Sequence, residues 1–129
     1  CFYYTFLNKI KSLGYTTSSD VTNYSSVTQK IEYFISKNYN EDIKIEELAA
    51  KYNVSHNAFT RNFKNDTGYT PKEYLIKTRI DSSKYLLSTT DFSISQIAYM
   101  CGFVSAAYFT YIFRKAENQT PKEYRANNK

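Results

Sequence analysis

The chain has 129 residues, 42% of them apolar, with only three glycines and two prolines. That length suits one compact domain with a real core rather than two independent ones, and the apolar share excludes a disordered chain. A formal charge of +5 tilts the partner toward polyanions, though weakly, because many basic surfaces are simply solvated.

The two cysteines, Cys1 and Cys101, lie far apart, with no CxxC pair and no His–Cys cluster. That pattern is neither a disulfide framework nor a zinc site and suits a reducing cytosol; no metal or cofactor is expected. Position 101 falls inside an apolar helical pattern, so a buried, inert thiol is expected there. No apolar run could span a bilayer and no signal-peptide pattern is visible, which leaves no membrane partner and a cytoplasmic location as the expectation. The chain begins with Cys rather than Met, and reads as a piece of a longer protein.

In chain order, Tyr3, Phe6, Leu7, Ile10 and Leu13 fall at helical spacing ahead of Gly14, a C-cap residue, and predict a short amphipathic helix over 2–13. Residues 16–26 are rich in Ser and Thr and read as a linker, so residues 1–26 are assigned to an upstream region and the domain to residues 27–129. From Val27 onward the pattern is helical. Val27, Ile31, Phe34 and Ile35 form one apolar face, and Ile45, Leu48, Ala49 and Tyr52 a second. Phe59 and Phe63 form a third. Leu75, Ile80, Leu86 and Leu87 fall on a longer helix from Pro71 to about Leu87. The second and third patterns then recur, as Ile94, Ile97, Ala98 and Cys101 and as Phe109, Ile112 and Phe113, before a last short helix after Pro121.

Helix starts are marked by side chains. Thr70-Pro71-Lys72-Glu73 and Thr120-Pro121-Lys122-Glu123 each combine a threonine N-cap, a proline at the first helical position and a glutamate that completes a capping box. Ser93 with Gln96 forms another box. The corresponding pair in the first half, Lys44 and Glu47, lacks a capping side chain, which predicts a weaker helix end.

Residues 58–74 (AFTRNFKNDTGYTPKEY) and 108–124 (YFTYIFRKAENQTPKEY) are identical at eight of 17 aligned positions. Extended upstream, each copy has a short helix containing a small alanine (Ala49, Ala98), a tight turn, a serine N-cap (Ser55, Ser105) and a second helix with an FxxxF stripe. The second turn is one residue longer. Helices that meet across so short a turn need a residue that accepts a left-handed backbone, which Gly102 does freely and Asn53 next best. The fold class expected is all-α: two homeodomain-like helix-turn-helix subdomains, over about 45–65 and 94–116, joined by the long helix 71–87.

These residues, from about Val27 to Arg125, resemble the DNA-binding domain of the AraC/XylS family of bacterial transcription regulators. The likeness rests on Leu48-Ala49, Phe63-Lys64, Gly68, Pro71, Glu73-Tyr74-Leu75 and Arg79. In the second half it rests on Ile97-Ala98, Gly102-Phe103, Tyr108-Phe109, Phe113-Arg114, Thr120-Pro121 and Tyr124-Arg125. The resemblance implies a sequence-specific transcription regulator that inserts two recognition helices into successive major grooves of double-stranded promoter DNA. A linking helix of about 25 Å would hold them near one DNA turn apart. Base contacts are implied at Asn57, Thr60 and Arg61. Arg61 suits guanine and Asn57 suits adenine.

In the second helix Ala106, Ala107, Thr110 and Tyr111 occupy the reading face, where relatives often carry Gln, Asp or Arg. This apolar set favours thymine methyls and predicts that the first unit does most of the direct reading. Phosphate contacts are assigned to Ser55, His56, Lys64, Arg79, Ser105, Tyr108, Arg114 and Lys115, with a salt bridge inside the module as the alternative for Arg79. RNA polymerase is a further candidate partner, and dimerisation would run through an upstream domain outside this chain. An enzyme reading fails for want of a metal cluster, phosphate loop or nucleophile elbow. The rival is an interaction module of the same fold that contacts RNA polymerase or a sensor domain without reading DNA.

Overall fold

The computed structural model describes residues 22–129, with side chains from Val27 onward, and the backbone over that range is helical with no strand. Helix α1 spans Thr22–Asn38, α2 Ile45–Lys51, α3 His56–Thr67 and α4 Pro71–Thr89; α5 spans Ile94–Met100, α6 Ala106–Glu117 and α7 Pro121–Asn128. The expected all-α class and the expected order of helices are therefore present. Cys1, the helix expected over 2–13 and linker residues 16–21 lie outside the described residues.

One expectation needs revision. Residues 22–26, assigned to the linker, are the first turns of α1. Thr, Asn, Tyr and Ser cost a helix only tenths of a kcal/mol each, up to about 0.7, and no Gly or Pro interrupts, so polarity alone does not end it. The chain divides into two compact units, the first made of residues up to Asn38 with Ile43–Leu75, the second of Tyr39–Asp42 with Ile76–Lys129. Each copy of the repeat brings enough aromatic surface to centre a core of its own.

In the first unit, α1 buries Ile31 and Ile35, α2 Leu48 and Ala49, α3 Phe59 and Phe63, and the start of α4 Tyr74 and Leu75. The Phe59 and Phe63 rings stack at 6.0 Å, and Phe63 meets Tyr74 edge-on at 5.4 Å. Thr28 on α1 donates its hydroxyl to Asp66 on α3 at 2.6 Å. The second unit repeats the arrangement. Phe109 and Phe113 are fully buried with Ile97, Ala98, Cys101 and Leu87, and Phe113 meets Tyr124 edge-on at 5.6 Å. The tyrosine that closes each TPKEY is thus a wall of the aromatic core, which is why the motif recurs whole. Each buried phenylalanine contributes about 1.5–3 kcal/mol. Cys101 is buried as expected, and burial pushes its thiol up to about 11.

Both turns use one backbone device. Asn53 and Gly102 stand at φ 58° and 93°. Val54 N–H donates to Ala49 O at 3.1 Å and Phe103 N–H to Ala98 O at 2.9 Å, while Asn53 and Gly102 donate to Ala50 O and Tyr99 O. These paired bonds are a Schellman motif that satisfies the carbonyls at the end of α2 and α5. The residue that makes the second turn longer is Val104, which is 80% exposed. Helix α3 and α6 end on a second left-handed pair, Gly68 and Asn118.

The capping boxes form as expected at Ser93–Gln96 and Thr120–Glu123. Thr70 and Glu73 also exchange their two bonds, at 2.9 and 3.2 Å. Lys44 starts α2 with no side-chain cap. The Thr70 backbone N–H first, then its hydroxyl, hold Glu73 below the ordinary value of 4.5, and Thr120 does the same for Glu123.

A Cβ on Gly102 would lie 2.6 Å from Tyr39 O and 2.9 Å from Asn40 Cα, whereas one on Gly68 would meet nothing within 4 Å. Gly68→Ala should therefore cost about 1–2 kcal/mol for its left-handed backbone alone, and Gly102→Ala about 2–4 kcal/mol with the clash added. Urea unfolding followed by circular dichroism measures both, and equal losses would refute the close approach. The two depressed glutamates stabilise the fold fully above their unfolded value of 4.5 and cease to do so as pH falls through their lower folded values. Changing both Glu73 and Glu123 to Gln should flatten the acid limb of the stability curve. An unchanged limb would mean that the boxes do not carry it.

Candidate nucleic-acid interface

Ser55 begins α3 by accepting the Ala58 N–H at 3.2 Å, and Ser105 begins α6 by accepting the Tyr108 N–H at 3.1 Å. With each start fixed, helical periodicity sorts the side chains. On α3, Phe59 and Phe63 turn into the core, so His56, Asn57, Arg61 and Lys64 are left exposed, and Thr60 is half-buried between the two sets. Asn57 and Arg61 stand one turn apart on the outer face, as the spacing predicts. Among the described residues, neither Arg61 nor Lys64 is held in an ion pair.

On α6, Ala107 and Tyr111 are exposed, Thr110 is half-buried, and Arg114 and Lys115 are exposed beyond them. The Lys115 ammonium sits over the Tyr111 ring at 6.0 Å, which places a cation and an aromatic face together at i, i+4. Two residues divide their loyalties. Ala106 packs partly against the buried cluster of the second unit. The Tyr108 ring lies 6.2 Å from Phe103 and keeps 39% of its surface exposed. Ser105 is half-buried where Ser55 is exposed.

Arg79 is engaged inside the second unit. Its Nε donates to Tyr39 O at 2.7 Å and Nη2 to Glu41 O at 2.8 Å, with the guanidinium 6.0 Å over the Phe103 ring. This geometry is a clamp on backbone carbonyls, a role in addition to those expected from the sequence. Tyr39 is held a second time, its hydroxyl 2.7 Å from Ser82 Oγ. Arg125 acts in the same way, donating to Leu87 O and Thr90 O, both at 3.2 Å.

Sequence reasoning missed the role of Asn118 at the end of α6. The signal was present, since Asn118 aligns with Gly68 at the offset of the repeat and Asn is the side chain that best tolerates a left-handed backbone. The carbonyl-clamping role of Arg79 had no such signal, because its partners lie 40 residues away.

Two short helices, each leading through a left-handed turn into a capped helix with a polar or cationic outer face, define a tandem helix-turn-helix protein. A family model described as a helix-turn-helix domain matches residues 48–127. The chain belongs to this AraC-type helix-turn-helix family. It is 32% identical over 93 residues to the HTH-type transcriptional activator RhaS of Yersinia pestis (strain Pestoides F), covering 72% of this chain and 34% of that protein. Against RhaS of Mannheimia succiniciproducens it is 30% identical over 125 residues, covering 97% of this chain and 46% of that one. The chain therefore spans between a third and a half of the length of these curated relatives.

Among solved structures, the DNA-binding domain of AdpA, a global transcriptional factor crystallised with a target DNA, superposes with a TM-score of 0.74 at 31% identity, over 78% of this chain and 90% of that one. A transcriptional regulator with an AraC-type DNA-binding domain from Chromobacterium violaceum gives 0.73 at 29% identity, over 83% and 96%. Among the described residues no cluster of His, Cys, Asp or Glu is placed to hold a metal, and no helix is long and apolar enough to cross a membrane.

Because Arg79 clamps carbonyls, Arg79→Met should lower the stability of the chain by about 1–3 kcal/mol in urea unfolding. A residue that served only a phosphate would leave stability unchanged and weaken DNA binding alone.

Proposed function

We propose that this chain is the sequence-specific DNA-binding part of a bacterial transcription regulator and that α3 and α6 enter successive major grooves of promoter DNA. The observation that carries this reading is the exposed outer face of α3, where Asn57, Arg61 and Lys64 stand unengaged by any ion pair among the described residues, on a helix whose start and opposite face are rigidly fixed. A relative of the same fold was crystallised with its target DNA.

Arg61 takes guanine O6 and N7 in a bidentate pair, Asn57 takes adenine, and Thr60 makes a neutral contact between them. On α6, Ala107, Thr110 and Tyr111 meet thymine methyls, and the half-buried Ala106 contributes only its exposed edge. Ser55, His56, Lys64, Ser105, Tyr108, Arg114 and Lys115 serve phosphates and set the register. Arg79 stays with the carbonyls it clamps. Location in the cytoplasm follows from a promoter target, and RNA polymerase and dimerisation through further domains belong to the same proposal.

Binding to promoter fragments from the region upstream of its own gene should weaken steeply as salt rises while retaining a specific excess over random DNA. Arg61→Ala should cost about 1–3 kcal/mol of binding and relax one base position. If no shift occurs even at low salt, the fold serves protein contacts instead. If Tyr111→Ala damages discrimination more than Arg61→Ala does, the division of labour between the two helices is reversed.

A further inference from the structure

Helix α1 has two faces of different character. Thr28, Ile31 and Ile35 turn inward, and Thr28 is bonded to Asp66 on α3. On the opposite side of α1, Lys30, Tyr33 and Lys37 repeat at helical spacing. Together with Phe34 and Tyr52 at the end of α2, they line an open groove of about 430 Å3 within the first unit. The groove is aromatic and cationic at once. Tyr33 is 66% exposed, the Lys37 ammonium lies 5.6 Å over its ring, and the Lys51 ammonium lies 5.5 Å over Phe34. Among the described residues no acid lines it.

We infer that this groove docks an acidic segment of a partner protein, seated by an apolar or aromatic anchor between Tyr33, Phe34 and Tyr52. Charge decides the sign of the occupant: Lys30 and Lys37 line the cleft, Lys51 stands over its Phe34 ring, and together they attract carboxylates, which find the Lys37 and Lys51 ammonium groups already placed on rings. Shape decides its kind. A groove of this size accepts one or two anchoring side chains with a short run of backbone, the usual scale of a peptide subsite. Position argues against the duplex as the occupant, because the groove lies on the side of α1 that faces away from α3, whose outer surface reads bases in the function proposed above. This argument from position rests on that reading, whereas the groove's charge and shape do not.

The test uses the whole chain and a short fluorescein-labelled peptide of Asp and Glu residues with one central Phe, followed by fluorescence anisotropy at low salt. Saturable binding is expected. Lys37→Glu and Tyr33→Ala should each weaken it by roughly tenfold, as should Phe→Ala in the peptide, while binding to a promoter fragment stays unchanged. Both substituted residues lie outside the buried core, so circular dichroism should match the parent chain. Absence of saturable binding overturns the inference. So does binding that ignores the peptide's Phe and Tyr33, which would be unspecific charge attraction. A loss of promoter affinity in Lys37→Glu, with DNA competing for the peptide, would make the face a phosphate contact and also overturn it.

Discussion

Everything in each unit hangs on one left-handed residue. A helix can be followed at once by a second helix across it only if the chain reverses within two or three residues, and Asn53 and Gly102 supply that reversal. The Schellman bonds of Val54 and Phe103 close the first helix at the same point, and the Ala49, Ala50, Ala98 and Tyr99 carbonyls are satisfied where the chain changes direction. The serine N-cap follows and starts the second helix. Because start and direction are both fixed, the phenylalanine stripe can fall inward and the polar stripe outward. Rotating the second helix by one residue would turn Thr60 and Lys64 toward the core and move Phe59 and Phe63 out of it.

Much of this was legible in the residues because its determinants are local. N-caps, capping boxes, proline at the first helical position and a left-handed Asn or Gly all act within four residues, and the repeat at positions 58–74 and 108–124 doubled each signal. The fold class and helix order followed. The outer face of α3 was legible for the same reason, since helical spacing alone separates Asn57 and Arg61 from Phe59 and Phe63.

What the sequence hid is long-range. The clamp of Arg79 on Tyr39 and Glu41 spans about 40 residues, and no local pattern distinguishes it from a solvent-facing arginine. That Ala106 also packs against the buried cluster is likewise a tertiary fact, invisible in local spacing. The start of α1 at Thr22 carries no local mark, because Ser, Thr and Asn suit a loop yet are only mildly unfavourable within helices. The duplicated aromatic sets build two compact units, a division that length alone does not reveal.

The boundaries of those units do not follow the order of the chain. Tyr39–Asp42 belongs to the second unit although the residues on either side belong to the first. On a chain growing from its N-terminus, this segment leaves the ribosome with its partners unsynthesised. Arg79 and Ser82 arrive about 40 residues later, and Gly102 later still. The first unit has all of its residues once Leu75 is made, but the loop running out of it stays open until α4 and the second turn emerge. Neither unit can be excised by a single cut in the gene, and in a shortened product that stops before Gly102 the last close neighbour of Tyr39 and Asn40 never comes.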